Sequence, residues 1–177
     1  KILASDISSD ALDVATINLQ KHEVSNVLLI KSNWLSYAKP KSLDLVISNP
    51  PYLKPDDIHL KNLTHEPQFA LVSPKGTKSF IEISKQAFAA LKHGGRIIFE
   101  HGFSQRLEVT SILEDCGFKN IISEPDLQGL DRFIYAQKSW RNFIFTLQIW
   151  GFSMHSYDKI YHVKVRFQVI KMMMENI

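Results

Sequence analysis

Short apolar runs alternate along this chain with segments whose apolar residues repeat at helical spacing. The runs that predict strands are "ILAS" at 2–5, "VLLIK" at 27–31, "LDLVIS" at 43–48, "RIIFEH" at 96–101, "KNIIS" at 119–123 and "DRFIYAQ" at 131–137. We expect the strands at 27–31 and 43–48 to be buried and the last two to form a final strand pair. Helices are predicted over roughly 9–22 with Ser8 or Ser9 as the cap, from the cap Thr77 to about His93, and from the cap Ser104 to Cys116. The first has Leu12, Ala15 and Leu19 on one face, and glycines end the other two, at 94–95 and at Gly117. Strands that alternate with helices favour an α/β fold with an open, mainly parallel sheet covered on both faces.

The composition is typical of a soluble globular protein. Of the 177 residues, 45% are hydrophobic and 22% are charged, and the length suits one domain with an appendage. Cys116 is the only cysteine, so an internal disulfide is excluded and the reducing cytoplasm is the expected location. No signal peptide is visible, and no apolar run approaches the ~20 residues of a membrane-spanning helix. The chain begins at Lys1 within an apolar run, so we expect its natural beginning to lie upstream.

Charge and aromatic content change near Lys138, which marks a predicted domain boundary. Residues 1–138 carry 16 basic and 16 acidic side chains, whereas residues 139–177 carry five and two, so the net charge of +3 lies in the tail. The tail also holds 8 of the 19 aromatic residues, and period-2 alternation predicts a strand over 163–169. We therefore expect a main domain over 1–138 and a basic, aromatic tail of unassigned role over 139–177.

The tetrapeptide Asn-Pro-Pro-Tyr at 49–52 directly follows the predicted strand at 43–48. Ligands of open α/β sheets bind at the carboxyl ends of strands, where this corner lies. The carbonyl of Pro50 is expected to stay free because proline geometry discourages a continuing ladder, and Asn49 offers a side-chain carbonyl beside it. Two such acceptors can hold both hydrogens of one planar –NH2 group, while Tyr52 offers a flat face. The corner therefore suits an amide or an aromatic amine.

A nitrogen of this kind is a poor nucleophile because its lone pair is delocalised. Acceptors on both N–H bonds return electron density to the nitrogen and aim it, and such positioning can contribute roughly 7–11 kcal/mol. A reactive electrophile such as a sulfonium methyl then needs no strong base. A proline turn that merely ends a strand is the plainer interpretation of an isolated Pro-Pro pair, but the longer pattern favours a functional corner.

Polar and aromatic residues also follow the two preceding strands. Asp6 ends the first strand, and a carboxylate there can accept both hydroxyls of a ribose. Trp34 can lie against an adenine, whose edge Asn33 can meet. Taken singly, Asp6 suits a helix cap and Trp34 suits the core equally well. Together with Asn49, they outline a nucleoside pocket that opens onto the corner.

The other polar candidates favour structural roles. The seven histidines show no metal-ligand spacing, so no metal site is predicted. Glu66 and Glu100 suit loop or supporting positions better than acid–base catalysis. Asp131 and Arg132 suit a structural ion pair or cap, and Cys116 suits the core.

These motifs resemble those of the HemK/PrmC family of protein-glutamine N-methyltransferases, from about Ile2 to Lys138. The shared segments are "SDIS" at 5–8, "SNW" at 32–34, "ISNPPY" at 47–52, "DDIHL" at 56–60, "HEP" at 65–67, "AL" at 70–71, "EHG" at 100–102 with Gln105, and "GLDR" at 129–132. The Asn-Pro-Pro-Tyr motif is also shared with adenine-amino DNA methyltransferases, so the later segments carry the distinction.

The resemblance implies a class I S-adenosylmethionine-dependent methyltransferase fold, of which residues 1–138 are a partial catalytic domain. It implies methylation of the glutamine amide in the Gly-Gly-Gln loop of class I peptide chain release factors, with no membrane partner and no nucleic acid. Asp6 would bind the ribose of S-adenosylmethionine, Trp34 its adenine region, and Asn49 both its methionine moiety and the substrate. The implied catalytic residues are Asn49, Pro50, Pro51 and Tyr52.

Three departures from the family qualify this expectation. Asn33 stands where the family usually has an acidic residue, which we expect to weaken cofactor binding by about 1 kcal/mol. The family's first strand, glycine-rich loop and helical N-terminal domain are not recognisable, and residues 139–177 match nothing in the family. The absent strand belongs between the strands at 2–5 and 43–48. We therefore expect two unpaired strand edges, and a chain that is poorly folded or inactive unless that segment is supplied. The strand at 163–169 is a candidate cover for one edge, and a frameshifted or read-through terminus explains the tail at least as well.

Two other functions stay open. The first is an adenine-amino methyltransferase acting on DNA or RNA, which the zero net charge of residues 1–138 disfavours and the basic, aromatic tail keeps open. The second is an inactive, truncated remnant, which the missing glycine-rich loop favours.

Overall fold

The computed structural model of the chain describes residues 1–57, 60 and 68–139. The strands are β1 (Ile2–Asp6), β2 (Val27–Lys31), β3 (Leu43–Ser48), β4 (Leu91–Glu100), β5 (Phe118–Pro125) and β6 (Asp131–Lys138). The helices are α1 (Ser9–Lys21), α2 (Gln68–Leu71), α3 (Lys78–Ala90) and α4 (Arg106–Asp115), with a 3₁₀ turn at Pro74–Gly76. The predicted α/β order is confirmed. The strand predicted over 163–169 lies outside the described residues, and the predicted boundary near Lys138 stays a prediction.

The described strands form two sheets. β1 and β2 make a parallel pair, and the second sheet has the order β3-β4-β6-β5. β3 runs parallel to β4, whereas β6 is antiparallel to both β4 and β5. The expected final strand pair is therefore confirmed, and the expected parallel direction holds for β3, β4 and β5, with β6 alone antiparallel to them. The sheet is mixed because β5 returns directly into β6 without a crossover helix.

β1 and β3 each keep one unpaired edge among the described strands, as the sequence predicts. β3 is also less buried than its apolar sequence indicates, since Val46 is 5% exposed but Leu45 is 47% and Ile47 is 68% exposed. The prediction of a buried strand at 43–48 is thus wrong for one face of β3, which no described element covers. The prediction of a buried strand at 27–31 is also wrong, since no residue of β2 is fully buried and Leu28 is 51% exposed. That the chain is poorly folded or inactive without an upstream segment stays a prediction.

The core lies where α3 and α4 pack on the four-stranded sheet. Its fully buried side chains include Phe80, Ile83, Leu91, Ile97, Phe99, Val109, Leu113, Phe118 and Ile134. Phe80 meets Phe99 edge-on with ring centroids 5.2 Å apart, and Phe88 meets Phe118 in the same way. These contacts fix the positions of β4 and α3, which flank the corner after β3. None of the helices in the described segments has the length and apolar character needed to cross a bilayer.

The cap of α1 and the face that it partly buries agree with the prediction. Ser8 is its N-cap, and the Ser8 hydroxyl accepts a hydrogen bond of 3.3 Å from the backbone N–H of Ala11. Leu12, Ala15 and Leu19 are half-buried, while the other residues of α1 are exposed. The predicted apolar face is therefore correct.

The boundary between α3 and β4 differs from the prediction. α3 ends at Ala90 and β4 begins at Leu91, which pairs with Leu43, rather than at Arg96. The ammonium of Lys138 donates to the carbonyls of Phe88 and Leu91 at the end of α3. Because the side chain of a distant strand satisfies these carbonyls, the helix needs no glycine stop.

The start of α4 also differs. Gln105, not Ser104, precedes its first residue Arg106, and no side chain caps the helix. The predicted stop at Gly117 is confirmed, since Gly117 has φ +94° and a Cβ there would lie 3.1 Å from the ring of Phe88. The side chain of Gln105 is engaged elsewhere, in the candidate site.

Candidate functional site

The Asn49–Tyr52 segment leaves the sheet at the carboxyl end of β3, where the sequence places it. Pro50 is buried, Tyr52 is half-buried and Asn49 is exposed. Within the described part of the chain, neither the side-chain amide of Asn49 nor the carbonyl of Pro50 has a hydrogen-bond partner. Two consecutive residues at the strand end therefore each carry an oxygen acceptor without a described partner.

The chain that follows the corner is fastened to its neighbours. The backbone N–H of Leu53 donates to the carbonyl of Leu71 at 3.0 Å, and the N–H of Ser73 donates to the carbonyl of Leu53 at 2.9 Å. The two segments thus form a short parallel bridge. This bridge holds the exit of the corner against the segment before the 3₁₀ turn.

Gln105 connects the corner to two other segments. Its Nε2 donates hydrogen bonds of 3.1 Å to the carbonyl of Tyr52 and to the carbonyl of Gly76. Its Oε1 accepts a hydrogen bond of 3.0 Å from the backbone N–H of Gly102. Gln105 is 8% exposed, so these bonds form away from solvent. The sequence resemblance includes this glutamine but assigns it no role.

Two opposite charges act on the hydroxyl of Tyr52. Burial raises the pKa of the Tyr52 phenol above its ordinary value, and the Glu100 carboxylate raises it further. The Arg132 guanidinium opposes this shift, and both groups interact with the hydroxyl. The phenol is therefore a neutral hydrogen-bond donor at physiological pH. Glu100 takes the supporting position that the sequence favours for it.

Arg132 is itself held by the loop before β6. Its Nε lies 3.2 Å from the Asp126 carboxylate, and its Nη1 donates to the carbonyl of His101 at 3.3 Å. The neighbouring Asp131 pairs instead with Arg106, at 3.1 Å. Asp131 and Arg132 therefore both form structural ion pairs, as expected, but with different partners.

Asp6 stands at the end of β1 with an exposed carboxylate. Its Oδ1 accepts a hydrogen bond of 2.8 Å from the backbone N–H of Ser8. No described residue donates to Oδ2, so one oxygen remains for a ligand. Both interpretations given by the sequence, helix-start contact and hydroxyl acceptor, are compatible with this position.

Trp34 links the end of β2 to α3. Its indole Nε1–H donates to the carboxylate of Glu82 at 3.2 Å, and its carbonyl accepts from the hydroxyl of Ser5 at 3.0 Å. The half-buried ring packs against the core, and its backbone has φ +52°. Trp34 thus packs against the core, which is one of the two roles that the sequence suggests for it. Its contact with an adenine stays a prediction. Asn33 is exposed.

The structure connects the predicted site residues of β1 and β2, whereas Asn49 belongs to the other sheet. The bond between Ser5 and Trp34 ties the ends of β1 and β2 together, whereas Asn49 ends a strand of the other sheet. Glu66 lies outside the described residues.

Sequence reasoning missed the contacts of Gln105 and Glu82, because only the fold shows which carbonyl or indole a side chain reaches. Cys116 packs against the core, and burial raises the pKa of its thiol.

Solved structures with the same fold define the class. A methyltransferase from Pyrococcus furiosus matches 79% of this chain and 64% of its own, with a TM-score of 0.58 and 16% identity. An S-adenosylmethionine-dependent O-methyltransferase from Thermotoga maritima matches 80% of this chain and 51% of its own, with a TM-score of 0.54 and 17% identity. Residues 1–70 also match the family model of the methyltransferase small domain. The chain therefore has the class I S-adenosylmethionine-dependent methyltransferase fold.

Curated relatives indicate which kind of methyltransferase the chain resembles. Proteins named release factor glutamine methyltransferase are 32% identical in Coxiella burnetii and 34% identical in Vibrio cholerae, over 76% and 77% of this chain. A Rickettsia conorii protein named bifunctional methyltransferase is 36% identical over 75% of this chain and is covered over 26% of its own length. Over this region the chain is similar to the release factor glutamine methyltransferases, so the sequence resemblance is confirmed. It spans 49% of the length of the first two relatives.

Proposed function

We propose that the protein transfers a methyl group from S-adenosylmethionine to the side-chain amide nitrogen of a glutamine. The proposed substrate is the Gly-Gly-Gln loop of class I peptide chain release factors, and the proposed location is the cytoplasm. The pair of unpartnered acceptors on Asn49 and Pro50 supports the chemistry most directly. The names of the relatives support the choice of substrate.

The residues at the ends of β1 and β2 fit S-adenosylmethionine in part. The free Oδ2 of Asp6 suits a ribose hydroxyl, and the proposed adenine contact falls to Trp34 with Asn33 at the edge. Bound there, the cofactor would supply an electrophilic methyl on a positively charged sulfur. The described glycines lie at 76, 94, 95, 102, 117 and 129, so none follows β1 as a cradle for the methionine end.

The corner after β3 prepares the substrate nitrogen. In the proposed geometry the side-chain oxygen of Asn49 and the carbonyl of Pro50 each accept one N–H of the glutamine amide, so the nitrogen lone pair points outward. The ring of Tyr52 packs on the planar amide. A new nitrogen–carbon bond forms as the methyl–sulfur bond breaks, and one amide proton leaves to water. Because Pro50 is buried and rigid, the acceptors need no rearrangement during the transfer.

The proposal is tested by incubating the full-length protein with labelled S-adenosylmethionine and three substrates: a class I release factor, the same factor with alanine for the glutamine of its Gly-Gly-Gln loop, and duplex DNA. We expect label in the first alone. Label in DNA alone would replace the proposal with an adenine-amino methyltransferase. Absence of label together with absence of cofactor binding by calorimetry would support the inactive remnant.

A further inference from the structure

The corner of the candidate site cannot anchor itself through its own backbone. Pro50 and Pro51 carry no N–H, so the chain from Asn49 to Tyr52 has few donors with which to continue a ladder. The first described anchors after the prolines are the carbonyl of Tyr52 and the N–H of Leu53. The acceptors thus lie between β3 on one side and the anchors at Tyr52 and Leu53 on the other, and the Tyr52 carbonyl is the anchor nearest to the prolines.

The side-chain amide of Gln105 binds that carbonyl as one of three hydrogen bonds, which together use both of its donors and its oxygen. Both hydrogens of Nε2 are used, one on Tyr52 and one on Gly76, while Oε1 accepts from Gly102. A glutamate at this position has no donor for the two carbonyls, and a methionine of similar length has neither donor nor strong acceptor. The three bonds therefore require a glutamine.

Two glycines make room for this arrangement. A Cβ on Gly102 would lie 2.9 Å from Oε1 of Gln105, and a Cβ on Gly76 would lie 3.0 Å from both Nε2 of Gln105 and the carbonyl of Tyr52. Gly76 also has φ +71°, a conformation that favours glycine. Side chains at either position would push the amide of Gln105 away from the corner.

We propose that Gln105 is a positioning residue for the methyl transfer, which it serves by fixing the Tyr52 peptide and, through it, the acceptor pair on Asn49 and Pro50. This inference rests on the proposed function. Gln105 does not touch the reacting atoms; it acts through Tyr52. A loss of this support displaces the substrate nitrogen more than it weakens binding, so it lowers kcat more than it changes KM.

A matched control separates positioning from general stabilisation. Gln137 on β6 is also a bridging glutamine, whose Nε2 donates to the carbonyl of Gly94 and whose Oε1 accepts from Asn120, both at 3.0 Å. These partners make no contact with the Asn49–Tyr52 segment among the described hydrogen bonds. Gln137→Met should therefore lower the melting temperature and leave the rate of transfer unchanged.

The experiment compares Gln105→Met, Gln105→Glu, Gly102→Ala and Gln137→Met in the full-length protein with a release factor as substrate. We expect the first three to lose about 10- to 100-fold in kcat, with KM for S-adenosylmethionine within about twofold of the unmodified protein. Folding of each variant is checked by its melting temperature, and Gly102→Ala tests the same support if both Gln105 variants unfold. A kcat within twofold of the unmodified value in folded variants of Gln105 would overturn the inference.

A second readout does not depend on activity. The ultraviolet titration of Tyr52, isolated by subtraction of a Tyr52→Phe variant, reports how deeply the phenol is buried. We expect its pKa to fall toward the ordinary value in Gln105→Met and to stay raised in Gln137→Met. An unchanged titration in Gln105→Met would overturn the positioning role, whether or not methylation is detected. Failure of the unmodified protein to methylate glutamine would instead overturn the proposed function.

Discussion

The indole Nε1–H of Trp34 donates a 3.2 Å hydrogen bond to the carboxylate of Glu82, and this bond ties the loop after β2 to the middle of α3. A second contact of Glu82, to Lys78 at 3.7 Å, lies on the exposed face of the helix. The two contacts differ in burial, because Trp34 packs against the core while Lys78 is in solvent. They therefore contribute unequally to stability.

Glu82→Ala should lower the free energy of unfolding by about 1 kcal/mol, because it leaves the half-buried indole N–H without an acceptor. Lys78→Ala removes only the exposed ion pair and should cost less than about 0.5 kcal/mol. Urea unfolding of both variants measures the difference. If both variants lose the same free energy of unfolding, the indole hydrogen bond contributes nothing beyond the exposed ion pair.

The buried ammonium of Lys138 supports the end of α3. Lys138 is 6% exposed, donates to the carbonyls of Phe88 and Leu91, and lies 4.8 Å from the centre of the Phe88 ring. Lys138→Met keeps the aliphatic stem but removes the donors, so it should cost about 2–3 kcal/mol in the free energy of unfolding. Lys119→Met, at an exposed residue of β5, is the control and should change the free energy of unfolding by less than about 0.5 kcal/mol. Similar unfolding curves for both variants would contradict this account of α3.

The titration of Tyr52 should respond in opposite directions to its two charged neighbours. Glu100 raises the phenol pKa, so Glu100→Gln should lower it, whereas Arg132 lowers it, so Arg132→Met should raise it further. Absorbance of the phenolate across the alkaline range measures both shifts. Shifts of the same sign in the two variants would contradict the opposite effects of these charges on the pKa of Tyr52.

The raised pKa of Tyr52 also has a consequence for stability. The folded state binds the phenol proton more tightly than the unfolded state, so this contribution is fully present below the unfolded value of about 10 and is lost as pH rises through the folded value. Tyr52→Phe should therefore flatten the alkaline side of the stability profile, provided that other tyrosines are unchanged. An unaltered slope above pH 10 would contradict the shift.

The sequence predicts the order of elements well because periodicity and capping are local properties. α1 with Ser8 as its cap, and the position of Asn49 at the end of β3, follow from residues close in the chain. The exposure of Ile47 does not, because burial depends on which elements cover β3. The true end of α3 is likewise hidden, since the lysine that satisfies its last carbonyls lies on β6.

The candidate site is likewise predictable from the sequence only in part. The acceptors at Asn49 and Pro50 are visible in the motif, because prolines restrict the backbone wherever they occur. The support from Gln105 is not visible, since it joins segments that are remote in sequence. Gly76 and Gly102 carry only a weak signal of close approach, which becomes specific once the amide beside them is located.

The central claim is that the side-chain oxygen of Asn49 and the carbonyl of Pro50 together hold the amide that is methylated. The most direct measurement is the rate of methyl transfer to a class I release factor by the full-length protein carrying Asn49→Ala, with Asn18→Ala on the exposed face of α1 as the control. We predict a loss of about 100-fold or more for Asn49→Ala at unchanged melting temperature, and an unchanged rate for the control. Glutamine methylation at the unmodified rate in folded Asn49→Ala would contradict the account.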